Sequence, residues 1–280
     1  MATTQTIQSL IGSIENNQYF LPEFQRGFRW TSDQVKKYFQ SLYKGYPTGA
    51  FLVWKAEVPA KTRGVTLAEE QKFNRLILDG QQRLTTLYTL LKGFPPNWLE
   101  GRPPRTDLYF NLETEEFQYF TKTLMSGKQE WIHVGQLFQQ GAGNYITAVA
   151  ADAPEQTTYL VSRLAQLNQL DNIKSYQYYI QEVELQDPIQ VVEIFNLVNS
   201  AGTPLSDADL SLALITGRWE DCKDCMRKAT ENYAKYGFHF GMDFFTRCIS
   251  VIGTSRGVFD DVQKLDKDDY IEPGARPKNP

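Results

Sequence analysis

The sequence predicts an α+β fold in which a mixed-sheet domain is followed by a helical region. In the first two thirds of the chain, short apolar runs typical of buried strands alternate with stretches whose apolar residues recur at helical spacing. Beyond residue 187 the helical spacing continues to residue 252. With 280 residues, 41% of them hydrophobic, the chain can bury a sizeable core. The predicted domains are residues 1–185, a helical region at 186–265 and a polar tail or linker at 266–280.

Two helices are predicted before the first long strand. The first is expected to end near residues 16–17, and its apolar face consists of Ile7, Leu10, Ile11 and Ile14. The second begins after Thr31, which stands three residues before Gln34 as in a capping box. Its apolar positions are Val35, Phe39 and Leu42.

Two predicted strands precede a third helix. Residues 49–54 and 75–78 are apolar runs of strand length, and the second ends at Asp79, with a polar loop or ribbon at 57–74 between them. The helix that follows ends at Lys92 and Gly93, and its apolar face consists of Leu84, Leu87, Tyr88 and Leu91.

The later elements are predicted in less detail. Residues 108–120 hold two aromatic runs around a polar turn, which indicates a hairpin. Residues 159–170 have helical spacing and residues 176–185 are typical of a strand, whereas no element is predicted for residues 121–156. The pair Asp187 and Pro188 is a typical helix start, and Ser206 can cap another helix after a break at residues 199–207.

Charge and cysteine content narrow the functional classes. The net charge of −4 gives no overall basic field, so any nucleic-acid contact must be local. No apolar run reaches the length of a membrane-spanning helix, and the N-terminus lacks the apolar core of a signal peptide. Three cysteines suit a reducing compartment, which predicts a cytoplasmic protein.

The segment Asp79-Gly80-Gln81-Gln82-Arg83 joins a predicted strand to a predicted helix. Such a junction is a general anion site, because the N–H groups of the first helical turn point outward together and the helix dipole adds positive charge. Gly80 would let a phosphate approach the backbone closely. Arg83 is a cation in a turn where the dipole disfavours cations. An anionic ligand would explain it, and so would an ion pair with Asp79 or another carboxylate.

Two other segments combine residue types that suit ligand contacts. Residues 21–30 place Gln25 and Arg26 among aromatic residues that include Trp30, and such a loop either contacts nucleic acid or packs on the core. Residues 195–210 break a helix at Asn199 and Ser200, where the side chains either face a ligand or cap the helices.

A nuclease metal centre is not predicted. His133 and His239 stand apart, and a lone histidine is more often structural than a metal ligand. Cys222 and Cys225 form a C-x-x-C motif without a second pair, in a helical context that disfavours a zinc site. We therefore expect the nuclease active site to be absent from this chain.

Three segments in this order, LPEFQRGFRW, LDGQQRLTTLYTL and FNLVNSAGTPLSDADL, resemble the N-terminal domain of GmrSD-type modification-dependent restriction endonucleases. The resemblance spans most of residues 5–215. It implies a fold related to ParB partition proteins and sulfiredoxin, with nucleotide binding and hydrolysis coupled to cleavage of modified foreign DNA. It also implies a partner, either a C-terminal HNH-type nuclease domain or a separate nuclease subunit.

The resemblance implies roles for residues of all three segments. The residues matching the nucleotide-binding site are Gly80, Gln81, Gln82, Arg83, Asn199, Ser200 and Gly202. The candidate catalytic residues are Asp79, Gln82 and Arg83, and the candidates for sensing DNA are Gln25, Arg26 and Trp30. The expected cofactors are a nucleoside triphosphate and Mg²⁺, with Asp79 or Glu193 as an oxygen ligand of the metal.

Two other functions fit the sequence. The first is a non-catalytic DNA-binding module whose nucleotide pocket is vestigial, which would bind nucleotide without turnover. The second is a self-contained nuclease that uses carboxylates only. No acidic cluster in the sequence has the spacing of a two-metal site, which weighs against that nuclease.

Overall fold

The computed structural model describes residues 2–21, 27–57, 73–99, 102–185 and 221–254, and, between 186 and 220, residues 190–191, 194–195, 197–198, 211–212, 215 and 219. It is a mixed α+β structure, as predicted. Its contacts divide the chain into two units. The first comprises Met1–Phe20, Gly27–Val53 and Gly80–Glu182, and the remainder of the chain belongs to the second.

Eight strands are found in the described part of the chain, and most of them were predicted. In chain order they are β1 (Ala2–Thr6), β2 (Tyr19–Phe20), β3 (Phe51–Glu57), β4 (Phe73–Asp79), β5 (Leu108–Asn111), β6 (Phe117–Tyr119), β7 (Trp131–His133) and β8 (Gln177–Val183). The predicted strands at 49–54, 75–78 and 176–185 correspond to β3, β4 and β8. The predicted hairpin at 108–120 is confirmed as β5 and β6.

The strands of the first unit form two sheets. In one, β1, β8 and β3 are successive neighbours, and β1 pairs antiparallel with β8 so that Thr4 lies opposite Tyr179. The other has the order β6-β5-β7, antiparallel throughout. In that sheet Phe110 of β5 faces Phe117 on one side and Ile132 on the other.

The helices of the described residues, in chain order, are α1 (Ile7–Glu15), α2 (Ser32–Tyr43), α3 (Gln81–Lys92), α4 (Lys122–Met125), α5 (Val134–Gln140), α6 (Ala142–Asp152), α7 (Thr157–Ser162), α8 (Leu164–Asp171), α9 (Cys222–Ala234) and α10 (Met242–Thr254). None of them combines the length and the apolar character that a membrane-spanning helix requires.

Local sequence signals explain the first three helices. The predicted apolar face of α1 is buried, and Oγ1 of Thr6 caps its first turn by accepting from the Ser9 N–H at 3.1 Å. The predicted capping box of α2 is confirmed, because Thr31 and Gln34 exchange both hydrogen bonds. Helix α3 ends at Gly93 in the left-handed conformation that the sequence suggested.

The core of the first unit is rich in aromatic side chains. Phe39 of α2 is fully buried and packs against Phe117 and Phe138, with ring centroids 5.8 and 6.2 Å away. Tyr43, one helical turn further along α2, contacts Phe110 at 4.7 Å. This packing fixes α2 on the three-stranded sheet.

The second unit has its own small core. Ile215, Cys222 and Met226 are buried together, and Leu212, Trp219, Met242, Phe245 and Ile249 pack against them. The predicted helical run up to residue 252 is interrupted at residues 235–241, between α9 and α10. Gly237 lies in this interruption with a φ of +84°, a backbone conformation that a continuous helix does not contain.

Candidate functional site

The junction predicted at residues 79–83 is confirmed as a strand, a turn and a helix start. Asp79 is the last residue of β4 and is half-buried. Gly80 is the N-cap residue of α3, with a φ of +100°, and it has no side chain of its own that could cap the helix. Gln81 follows as the first helical residue and is buried. Since Gly80 has no side chain, this helix end carries none of the usual Ser, Thr, Asp or Asn caps.

Packing requires a glycine at position 80. A Cβ there would lie 2.3 Å from Cδ1 of Phe51 and 3.3 Å from Nη2 of Arg83. The positive φ disfavours any other residue independently. The sequence suggested that Gly80 lets a phosphate approach, and the structure gives the same glycine a packing role whatever binds there.

Arg83 joins the first turn of α3 to the loop before β3. Its Nη1 donates to the carbonyl oxygen of Thr48 at 2.7 Å, and its Nη2 donates to that of Ala50 at 2.8 Å. The guanidinium also lies over the ring of Phe51, 5.1 Å from the centroid. These contacts explain why a cation is stable in this turn without an anionic ligand. The sequence had suggested an anionic ligand or an ion pair with a carboxylate, and contacts with backbone carbonyl oxygens were not considered.

Gln82 joins the same turn to the loop before α2. Its Oε1 accepts from the backbone N–H of Arg29 at 2.7 Å and from that of Trp30 at 3.2 Å. Its Nε2 donates to the carbonyl oxygen of Gly27 at 3.2 Å. One amide side chain therefore binds backbone groups of Gly27, Arg29 and Trp30 in the first predicted motif, so two of the three motifs that carried the family resemblance are in direct contact.

A network of hydroxyl groups, of which those of Tyr38 and Tyr178 are buried, contacts the loop of Thr48 and Ala50 that Arg83 binds. The hydroxyl groups of Tyr38 and Tyr178 are 2.6 Å apart, and Oγ1 of Thr48 is 2.6 Å from the Tyr178 hydroxyl. The Tyr176 hydroxyl accepts from the Thr48 N–H at 3.3 Å and donates to the carbonyl oxygen of Tyr46 at 3.0 Å. Sequence reasoning missed this network, because its only signal was a tyrosine-rich strand.

Burial favours the neutral forms of Tyr38 and Tyr178. The loss of solvent raises the pKa of Tyr38 well above its ordinary value, and it raises the pKa of Tyr178 in the same direction. Both phenols therefore remain protonated at physiological pH. They act as hydrogen-bonding groups that hold Thr48, and Thr48 in turn presents its carbonyl oxygen to Arg83.

Metal-ligating side chains are not gathered into a centre within the part of the chain that the structure describes. Among the residues that the structure describes, no group of three or more His, Cys, Asp or Glu side chains could hold a metal ion. His133 caps α5, since its Nδ1 accepts from the Gln136 N–H at 3.2 Å. Cys222 is buried in α9, and burial raises the pKa of its thiol to about 12, which disfavours the thiolate that zinc requires.

Several predicted site residues fall outside the described part of the chain. These are Gln25, Arg26, Glu193, Asn199, Ser200 and Gly202. Trp30, the third candidate for sensing DNA, is half-buried at the start of α2 and meets the ring of Tyr38 edge-on at 5.1 Å. The roles predicted for all these residues stay predictions.

Comparison with known proteins gives a family match over most of the chain. A family model described as the GmrSD restriction endonuclease, N-terminal domain, matches residues 7–216. An uncharacterized protein of Methanocaldococcus jannaschii, MJ0686, is 31% identical over 105 residues, a match that covers 34% of this chain. The same match covers only 18% of that relative, so the chain resembles a small part of a much longer protein.

Proposed function

Since the chain belongs to the family of GmrSD restriction endonuclease N-terminal domains, we propose that it is the nucleotide-dependent sensor and regulatory domain of a modification-dependent restriction or phage-defence system. The proposal includes binding and hydrolysis of a nucleoside triphosphate by the segment at residues 79–83. It further includes a ParB- or sulfiredoxin-like fold for the mixed α+β first unit and a cytoplasmic location.

The observation that carries the proposal is that α3 starts at a glycine N-cap after a strand. The helix has twelve residues and a full dipole, yet Gly80 supplies no side chain to its first turn. A phosphate bound by the backbone N–H groups of this turn would take the place of a side-chain cap. Gln82 and Arg83, in the same turn, fix the loops at residues 27–30 and 48–50 and so keep the surroundings of this helix end rigid.

In this function Arg83 would work mainly as a positioning residue. Its two hydrogen bonds to carbonyl oxygens hold the loop of Thr48 and Ala50, and the guanidinium charge stays within the first turn of α3. That charge would stabilise the negative charge that develops on phosphoryl oxygens during transfer. Gln82 would hold the backbone of the first motif against the same turn of α3.

A divalent metal would bind at this site only together with the nucleotide phosphates. Mg²⁺ is usually bound by one or two carboxylates together with the substrate phosphates, and the Asp79 carboxylate meets that requirement by its chemistry. The described residues offer no cluster for a metal cage made of protein groups alone. The metal would supply charge neutralisation at the triphosphate, and Asp79 would hold it.

DNA cleavage is assigned to a partner in this proposal. The partner would be a C-terminal HNH-type nuclease domain or a separate nuclease subunit, and the signal would be modified foreign DNA. What supports this division is the structural role of His133, which caps α5. Phosphate release with Mg²⁺, without nicking of plasmid DNA, is therefore the expected behaviour of these 280 residues.

The proposal is tested by a phosphate-release assay on the purified chain with Mg²⁺ and each nucleoside triphosphate, beside a plasmid-nicking gel. We expect release by the wild type and a strong decrease in Asp79→Asn, which removes a charge but keeps the side-chain shape. The matched control is Asp152→Asn at the exposed end of α6, where no change is expected. Nicking by the chain, or neither turnover nor calorimetric binding of any nucleotide, would overturn the proposal.

One observation favours a second candidate, a DNA-binding module with a vestigial nucleotide pocket. The guanidinium of Arg83 is engaged by two backbone carbonyl oxygens of the protein itself. If Arg83 only stabilises the fold, nucleotide binding without turnover follows. Calorimetric binding combined with zero phosphate release would therefore select this candidate.

A further inference from the structure

An arginine-rich cleft lies beside the loop that Gln82 fixes. It has a volume of about 290 Å³. Its lining joins the start of α2 to the segment before β5 and includes Phe28, Arg29, Trp30, Arg102, Arg105 and Tyr119. All six belong to the first unit. Three guanidinium groups and three aromatic rings therefore share one concave surface in a chain whose net charge is negative.

Two of the three arginines have no partner for their guanidinium groups among the residues that the structure describes. Arg29 and Arg102 are exposed, and the hydrogen bond that joins Arg29 to another described residue is made by its backbone N–H to Gln82. Unpaired guanidinium groups are the side chains best suited to bidentate contacts with phosphate.

Arg105 is held in a different way. Its guanidinium lies over the ring of Tyr119, 4.6 Å from the centroid, and its Nε donates to Oδ1 of Asp107 at 2.8 Å. The hydrogen bond from Arg105 keeps the pKa of Asp107 below its usual value, so this pair is neutral overall. A flat guanidinium fixed on a tyrosine ring provides a stacking surface for a nucleobase rather than another charge for a phosphate.

From this arrangement we infer that the cleft binds an unstacked nucleotide of a DNA strand. Arg29 and Arg102 contact the flanking phosphates, while the base stacks in the space bounded by Trp30 and Arg105. The volume of about 290 Å³ lies near the lower end of the ~300–1,000 Å³ range of small-molecule pockets, which suits a single base rather than a longer stretch of strand. The inference rests on the proposed role of the chain in sensing DNA, and it adds residues that the sequence motifs do not contain.

The test measures fluorescence anisotropy of labelled oligonucleotides with the full chain and without nucleoside triphosphate. The probes are a single DNA strand, its perfect duplex, the same duplex with one bulged nucleotide, and an RNA strand of the same sequence. We expect the single strand and the bulged duplex to bind more tightly than the perfect duplex. Tighter binding of the perfect duplex would overturn the inference, and so would tighter binding of the RNA.

The double variant Arg29→Gln, Arg102→Gln locates the site. It should weaken binding of the single strand by at least about tenfold, since two charge-assisted contacts are lost. It should also reduce the slope of log affinity against log salt by about 1.4, the value for two phosphates on a single strand. The matched control is Lys44→Gln, Lys128→Gln, which removes two exposed charges outside the cleft.

A third variant pair tests stacking. Trp30→Leu should weaken binding by about tenfold, whereas Trp30→Phe should retain most of the affinity, because phenylalanine still offers a ring face. The inference about the cleft would be wrong if the arginine double variant bound as tightly as the wild type, or if the lysine control lost as much affinity as the arginine variant. Neither result would contradict the proposed function. If the wild type binds none of the probes, the proposed response to DNA fails together with the inference.

Discussion

Oε1 of Gln82 accepts a hydrogen bond from the backbone N–H of Arg29 at 2.7 Å, although 53 residues of sequence separate the two. The same amide bonds to the backbone of Gly27 and Trp30. The first turn of α3, where we propose that phosphate binds, is therefore joined by one side chain to the loop that forms the arginine-rich cleft. We therefore expect that a change at either place affects the other through Gln82.

Replacing Gln82 by leucine should loosen this loop. Three hydrogen bonds are lost, and we expect the free energy of unfolding to fall by about 1–3 kcal/mol. Affinity for single-stranded DNA should fall as well, because Arg29 and Trp30 lose their fixed positions. Urea unfolding and oligonucleotide anisotropy measure the two effects on the same preparation.

A glutamine elsewhere provides the control for that substitution. Gln140 is exposed at the end of α5, and Gln140→Leu should change the stability by less than about 0.5 kcal/mol. If Gln82→Leu behaves like Gln140→Leu in both assays, the contacts of Gln82 contribute nothing measurable to stability or to DNA affinity. The proposed link between the two sites would then be wrong.

Arg83→Lys separates the structural role of Arg83 from a purely catalytic one. Lysine keeps the positive charge, but its single ammonium group cannot reproduce the planar fork that reaches both Thr48 and Ala50. We expect a loss of about 1–3 kcal/mol in the free energy of unfolding, measured with urea. Unchanged stability combined with lost phosphate release would instead assign Arg83 to the chemical step alone.

The local patterns of the sequence predicted most of the elements but only part of the site. Thr31 and Gln34 form a capping box within four residues, so their geometry could be predicted from spacing. The partners of Gln82 and Arg83 are backbone atoms 33 to 55 residues away, and no local pattern specifies them. In residues 121–156, α4 and β7 were missed because they have only four and three residues, too few for a recognisable period. Helix α6 has eleven residues but buries only Ala142 and Tyr145, so its sequence lacks a clear apolar face.

Gly80→Ala tests whether packing alone requires this glycine. The added Cβ would meet the ring of Phe51 at 2.3 Å, and the positive φ adds strain. We expect a loss of about 2–5 kcal/mol in the free energy of unfolding, from backbone strain and overpacking together.

Gly45→Ala is the control, since the φ of Gly45 is +69° and nothing lies within 4 Å of the added Cβ. It should cost only the strain of about 1–2 kcal/mol, and equal losses at the two positions would contradict the packing argument.

His133 should make the stability of the protein depend on pH. Burial lowers the pKa of its imidazole below the ordinary value of 6.5, and its Nδ1 must be unprotonated to accept from the Gln136 N–H. As the pH falls, the unfolded chain takes up a proton at His133 at a higher pH than the folded chain does. The contribution of His133 to the free energy of unfolding is therefore fully present above pH 6.5 and is lost as the pH falls below that value. Urea unfolding at about pH 7 and about pH 5 measures this loss.

His133→Asn should reduce this loss of stability, since asparagine caps helices well but does not titrate. With two histidines in the sequence, His239→Asn is the matched control and should keep the pH dependence of the wild type. Equal pH dependence in His133→Asn and the wild type would show that His133 does not cause it.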